Sequence, residues 1–232
     1  MTMTSSDLSR MNRVLRHRLR NSASGIKSSV TLLAEELKDS VEPDILEYFP
    51  LILQECDRLT DVTDRMNALF DGSVSEHVFA DGPVEDGCDA ESLVKRLAAD
   101  LQRRFPGTTT TVQTDSAAAC RPMSDVKRMA AALRELAVNA AEAVGRAFDV
   151  ECYAQAEGDT LRIGVRNSGE PVAPDAIRQM FLPFFTTKSR HIGIGLNLAQ
   201  RYAEACGGEL LARGNADGGM TVELRLPASE RE

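Results

Sequence analysis

The 232-residue chain has no tryptophan, and aromatic residues make up only 5% of it. A core built on large rings is therefore excluded, and Leu, Ala, Val and Met have to supply the packing. Histidine is scarce too, with only His17, His77 and His191. No apolar run approaches the roughly 18 residues of a membrane span, and the start, MTMTSSDLSR, lacks the apolar centre of a signal peptide. The five cysteines, Cys56, Cys88, Cys120, Cys152 and Cys206, include no CxxC pair. Their odd number favours reduced thiols and a cytoplasmic location over a disulfide framework. The first four stand 32 residues apart, but their flanks QECDR, DGCDA, AACRP and VECYA share nothing, so no repeat is read. A formal net charge of -8 speaks against a general nucleic-acid binder, whose footprint is basic.

What is present begins with helical periodicity. Leu8, Met11, Leu15, Leu19, Ile26, Val30, Leu33 and Leu37 recur at spacings of three, four or their multiples, and the pattern stops before Pro43. A second pattern runs through Ile45, Phe49, Ile52, Cys56, Leu59, Met66 and Leu69, close to a heptad. Two such helices form a hairpin that buries little alone, and pairing two copies into a four-helix bundle is the simplest remedy. Residues 71–88 have linker composition.

From Asp89 onward helices and strands mix. Asp89 is the expected N-cap of a helix ending before Gly107, and TTTTVQT is a strand by its β-branched residues. A second helix opens at Ser124. DVECYAQAEGDTLRIGVRNSG reads as a hairpin around Glu157-Gly158-Asp159, a third helix closes at Gly207, and ELLARG and MTVELRL form a second hairpin. The expected class is α+β: a two-helix hairpin over 1–72, then an α/β sandwich over 80–232.

Four stretches of the second half carry chemistry. RELAVNAAEA places Glu135, Asn139 and Glu142 on neighbouring turns, a set suited to Mg²⁺ but, taken alone, more often a solvated helix face. VRNSGEPV ends a strand in a turn, and FLPFFTTK closes a run of aromatics with two hydroxyls and a lysine. GIGLNLAQ sets glycines ahead of a helix, where backbone N–H groups bind phosphate well.

In this order and spacing, ELxxNAxEA, NSGxPx, FxPFFTTK and GxGLxL resemble the nucleotide-binding domain of histidine kinases and the GHKL ATPase superfamily, over about Asp89 to Leu226. The resemblance implies a Bergerat-type sandwich binding ATP under a lid, TTKSRHIGIG. By it, Asn139 holds Mg²⁺, Glu135 lies near metal and phosphates, Lys188 reaches the phosphates, and Gly193 and Gly195 shape the end of the lid. Gly169, Phe185, Thr187 and Leu196 complete the implied nucleotide contacts. The family usually has Asp where Asn167 stands, accepting from the adenine amino group; Asn keeps an acceptor oxygen but loses the charge. Pro171 and Asn197 replace glycines of the usual pattern.

The hairpin then gains a meaning. HRLRN, from His17, resembles the phosphoacceptor box of histidine kinases in the subgroup with Arg after the histidine and Asn four residues on. Arg18 stands where the family more often has an acidic residue, whose carboxylate helps remove the imidazole proton. Asn21 matches the position that in relatives orients a water for dephosphorylating the partner. His17 lies about 200° around the helix from Leu15, away from the apolar seam. Arg10, Arg13, Arg16, Arg18, Arg20 and Lys27 form a basic field that would draw ATP phosphates or an acidic receiver pocket, or is only a solvated face or an RNA contact.

The expectation is a homodimeric histidine kinase using ATP and Mg²⁺, with a response-regulator receiver domain as partner, no nucleic acid and no membrane span. Its signal is expected through the hairpin or a separate sensor protein. Two alternatives stand beside it: a histidine phosphotransferase with a degenerate ATP domain, and a GHKL Ser/Thr kinase or ATPase switch.

Overall fold

A computed structural model describes residues 5–74, 78–79, 82–85, 87–119, 123, 125–143, 148–188 and 192–227, with side chains of the first helix from Val14 onward. His77, Cys120, Ser124 and His191 lie outside the described residues. The chain divides into two compact units, residues 1–73 and 74–232.

In the first unit, α1 (Ser5–Leu37) packs against α3 (Tyr48–Asp71), with a one-turn α2 (Pro43–Leu46) in the connection. Pro43 at the first helical position of α2 sits where its missing N–H costs nothing. Gly72 ends α3 in the left-handed conformation, its N–H donating to the Ala68 carbonyl. Ala23, Val30, Cys56, Ala68 and Leu69 are buried. Leu15, Leu19, Ile26, Leu33, Ile52 and Leu59 are not; the expected seam splits into a stripe facing the companion helix and an exposed apolar stripe beside it.

The second unit is a five-stranded sheet in the order β1-β2-β3-β5-β4. The strands are β1 (Thr108–Thr114), β2 (Phe148–Glu157), β3 (Thr160–Asn167), β4 (Glu209–Gly214) and β5 (Met220–Pro227). β1 and β2 are parallel and the other pairings antiparallel. Three helices pack on the sheet: α4 (Ala90–Arg104), α6 (Val126–Ala143) and α8 (Gly195–Ala205). The register lines up Cys152, Val165 and Val222 in one row and Ala154, Ile163, Leu224 and Leu210 in the next. All seven are buried, and Leu93, Leu97, Leu133 and Leu136 of α4 and α6 complete the core.

The next residues along the strands point to the opposite face, where Tyr153, Gly164 and Glu223 share a row. A Cβ at Gly164 would lie 2.8 Å from the Tyr153 hydroxyl, so glycine lets the ring cross β3 to Glu223. Tyr153 Oη donates to Glu223 Oε2 (2.6 Å), as does Arg162 Nη2 (2.7 Å).

Both hairpins turn where the composition predicts, with Gly158 in one turn and Gly218 and Gly219 in the other at positive φ, and Gly207, also at positive φ, follows the end of α8. Asp89 caps α4 by accepting from Ser92 N–H (2.7 Å). The expected cap of α6, Ser124, lies outside the described residues; Asp125 Oδ1 accepts from Arg128 N–H there. Two short helices, α5 (Ser116–Ala119) and α7 (Pro174–Gln179), replace expected loop.

Candidate functional site

The three α6 residues occupy two environments. Glu135 is buried, beside the Arg134 guanidinium at 4.0 Å, while Asn139 and Glu142 are half-buried toward the C-terminal end. Ala130, Ala137, Ala140 and Ala141 keep the packed face of α6 slim, which lets this helix lie close to the sheet and α8.

Lys188 meets α6 there. Its Nζ lies 3.3 Å from the Asn139 carbonyl oxygen, 3.4 Å from Asn139 Oδ1 and 3.4 Å from Glu142 Oε2. Burial pushes the lysine pKa down, against the pull of Glu142. The loop that delivers it is tied at several points. Thr186 Oγ1 accepts from the Lys188 N–H (3.0 Å) and donates to its carbonyl (3.3 Å). Asn197 Nδ2 donates to the Phe181 carbonyl (3.0 Å), so the residue in a usual glycine position anchors the aromatic run. Phe184 N–H donates to the Gly193 carbonyl (2.8 Å). Gly193 has φ 71° and is pressed on its neighbours; a Cβ there would lie 2.3 Å from the Phe185 carbonyl oxygen. Gly193 is thus required by close approach and backbone angle together. Gly195 opens α8, with half-buried Leu196 next. Thr187 is exposed, and Thr186 is the hydroxyl that braces the loop.

At the end of β3, Asn167 is buried and its Nδ2 donates to the Ser168 carbonyl (2.7 Å). A carbonyl only accepts, so this bond fixes the amide orientation and leaves Oδ1 as the remaining acceptor. The turn beyond is held by Gly218 and Gly219. A Cβ at Gly218 would lie 2.3 Å from the Gly169 carbonyl oxygen, and one at Gly219 would lie 2.1 Å from that of Asn167. Asn215 Nδ2 donates to the Asn167 carbonyl (3.3 Å), and Thr221 Oγ1 donates to Asn215 Oδ1 (2.7 Å). The sequence gives no signal for this Asn215–Thr221 link, which needs the strand register.

In the first unit His17 is exposed, as the helical wheel predicts, and its Nδ1 lies 3.2 Å from Asn21 Nδ2. Arg18 is exposed beside it. The basic field is partly accounted for by packing: Arg20 pairs with Asp64, and Lys27 Nζ lies 2.6 Å from Asp57 Oδ1. Such pairs hold α1 on α3 with about 1 kcal/mol or less each. Among the described residues, no group of three or more His, Cys, Asp or Glu side chains converges as a metal cluster, and no helix is long and apolar enough to cross a membrane.

The profile of the histidine kinase-, DNA gyrase B- and HSP90-like ATPases matches residues 124–230. The sensor histidine kinase ZraS of Salmonella typhimurium is 27% identical over 219 residues, 93% of this chain and 45% of that protein. The chain thus spans less than half the length of this curated relative. Full-length ShkA in complex with AMPPNP has a similar fold, with a TM-score of 0.75 at 21% identity over 94% of this chain and 45% of that one. Histidine kinase ThkA, solved with the response regulator protein TrrA, gives 0.64 at 19% identity over 97% of this chain and 64% of its own. Residues 124–230 therefore match the histidine kinase-, DNA gyrase B- and HSP90-like ATPase family, and over most of its length the chain is similar to a sensor histidine kinase.

Proposed function

We propose that the chain moves the γ-phosphoryl of Mg·ATP to His17 and then to an aspartate of a response-regulator receiver domain. The observation that carries this reading is an exposed histidine whose Nδ1 is engaged by Asn21, in a chain whose residues 124–230 match that ATPase family.

The imidazole must offer a lone pair at Nε2, so its proton must sit on Nδ1. Turning the Asn21 amide by half a rotation presents Oδ1 to Nδ1–H and holds that tautomer. As the Nε2–phosphorus bond forms, the bond from the γ-phosphorus to the bridging oxygen breaks and ADP departs. Asn21 then supplies an orienting function where Arg18 replaces the usual acid. In the reverse direction the same amide fits the positioning of a water against a phosphorylated regulator, so phosphatase action is part of the proposal.

Asn139 and Glu142 present oxygen donors beside a position where the Lys188 ammonium already sits, a donor set that fits Mg²⁺. Mg²⁺ bound there would neutralise phosphate charge. Glu135 adds a second carboxylate, Lys188 a mobile cation, and the N-terminus of α8 at Gly195 adds backbone N–H groups. Asn167 Oδ1 serves as acceptor for the adenine amino group, with Gly169, Phe185, Thr187 and Leu196 around the nucleotide. The fixed Asn167 amide favours this reading over a degenerate ATP domain, because it offers an acceptor as a carboxylate does.

Two further parts follow. The exposed stripe Leu15, Leu19, Ile26, Leu33, Ile52 and Leu59 supports a homodimeric four-helix bundle. The receiver partner is supported by ThkA, which was solved with a response regulator. The test is incubation of the full chain with Mg²⁺ and γ-labelled ATP. Acid-labile label, lost in His17→Ala and Asn139→Ala, is expected; no label, or acid-stable label, would overturn the reading.

A further inference from the structure

Lys188 and Glu142 make a contact that phosphate binding alone does not explain. The Lys188 ammonium is surrounded by three oxygens from two turns of α6, all within 3.4 Å, and both side chains are only 25% exposed. The Lys188 N–H donates to Thr186 Oγ1, which donates to the Lys188 carbonyl, and Gly193 is pressed onto Phe185, so the loop sets this reach rather than chance on an open surface. Oxygen donors with a carboxylate among them are also what a hard divalent ion prefers. An ammonium and a divalent ion cannot share Asn139 Oδ1 and Glu142 Oε2, because like charges at such separation repel strongly.

We propose that Lys188 is a built-in stand-in cation, steered by Glu142, which competes with the divalent metal for Asn139 and leaves only when nucleotide phosphates offer it another anion. The inference rests on the assignment of Asn139 as the metal-holding residue. Glu142 is a positioning residue acting through Lys188. Metal alone binds weakly because it must displace the lysine; metal with nucleotide binds well because the phosphates receive the lysine. The lysine thus couples metal occupancy to nucleotide occupancy, and the coupling is reciprocal.

The test is titration of the nucleotide-free full chain with Mn²⁺, followed by electron paramagnetic resonance, for the wild type, Lys188→Met and Glu142→Gln. Lys188→Met should bind Mn²⁺ about tenfold more tightly, since it removes a positive charge from the ion's position. Glu142→Gln should show no such gain. In Glu142→Gln a lysine-specific protease should cut after Lys188 severalfold faster than in the wild type, with cutting after Lys95 unchanged. Equal Mn²⁺ affinity of Lys188→Met and wild type, with the variant folded by circular dichroism and the wild type binding an ATP analogue, would overturn this inference alone. Failure of the wild type to bind the analogue would instead strike the proposed function.

Discussion

In the first unit Leu15, Leu19, Ile26, Leu33, Ile52 and Leu59 are each at least 41% exposed, whereas in the second Leu93, Leu133, Leu136, Ile163 and Leu224 are at most 2% exposed. Both units draw on the same small set of aliphatic residues. They differ in what completes them. Three helices and a sheet bury one another, so the second unit closes its core with its own chain. Two helices can cover only one stripe each, so the hairpin is left with a second stripe to bury. That contrast suits the proposed division of labour, in which the second unit would bind ATP alone and the proposed phosphoacceptor His17 would be presented on an assembly of copies.

The largest effect should come from the stripe. Leu19→Glu with Ile26→Glu places charges where a partner helix would pack, and should weaken dimerisation at least about a hundredfold, given roughly 1.5–3 kcal/mol per apolar side chain lost. Light scattering should then show a monomer, with the unfolding of the second unit unchanged. An unaltered dimer would move the interface off α1. The converse variant, Leu133→Ala, opens a cavity in the closed core and should cost about 2–5 kcal/mol in denaturant unfolding of the second unit, leaving the dimer intact.

A smaller effect separates the two faces of the sheet. Burial disfavours the Glu223 carboxylate, but hydrogen bonds from Arg162, Tyr153 and Arg225 outweigh this and hold its pKa at about 2. Its folded pKa is below the ordinary carboxylate value of 4.5. Its contribution is therefore fully present above pH 4.5 and lost as pH falls toward 2. The stability of the second unit should drop by roughly 1–3 kcal/mol over that window. In Glu223→Gln the decline should flatten, as thermal melts against pH would show; an equally steep decline would assign it to other carboxylates. Smallest is Asp89→Ala, which removes the cap of α4 and should cost about 1 kcal/mol in the second unit only.

The legible parts of the fold are those with a period or a punctuating residue. The strand pair around Gly158, the helix stop at Gly207 and the Asp89 cap each depend on neighbours within a few positions. α5 and α7 escape because helices of four and six residues are too short to show a period. Pairings across α1 and α3 escape for another reason. Arg20–Asp64 and Lys27–Asp57 join residues 44 and 30 positions apart, so a run of arginines looks unpaired until the helices are docked. The same limit separates Thr187 from Thr186, since the backbone turn and not the residue type decides which hydroxyl braces Lys188. Motif order brought out Asn139, Asn167, Lys188 and Gly193 because their spacing along the chain is itself the signal. The lysine's hold on Glu142 is a distance in space, and no spacing records it.

The measurement closest to the central claim is where phosphate sits after the full chain has been incubated with Mg²⁺ and ATP. Mapping by mass spectrometry at neutral pH should find one phosphoryl group on the peptide containing His17 and none in His17→Ala. Phosphate on a serine, threonine or aspartate instead, with His17 unmodified, would contradict the account.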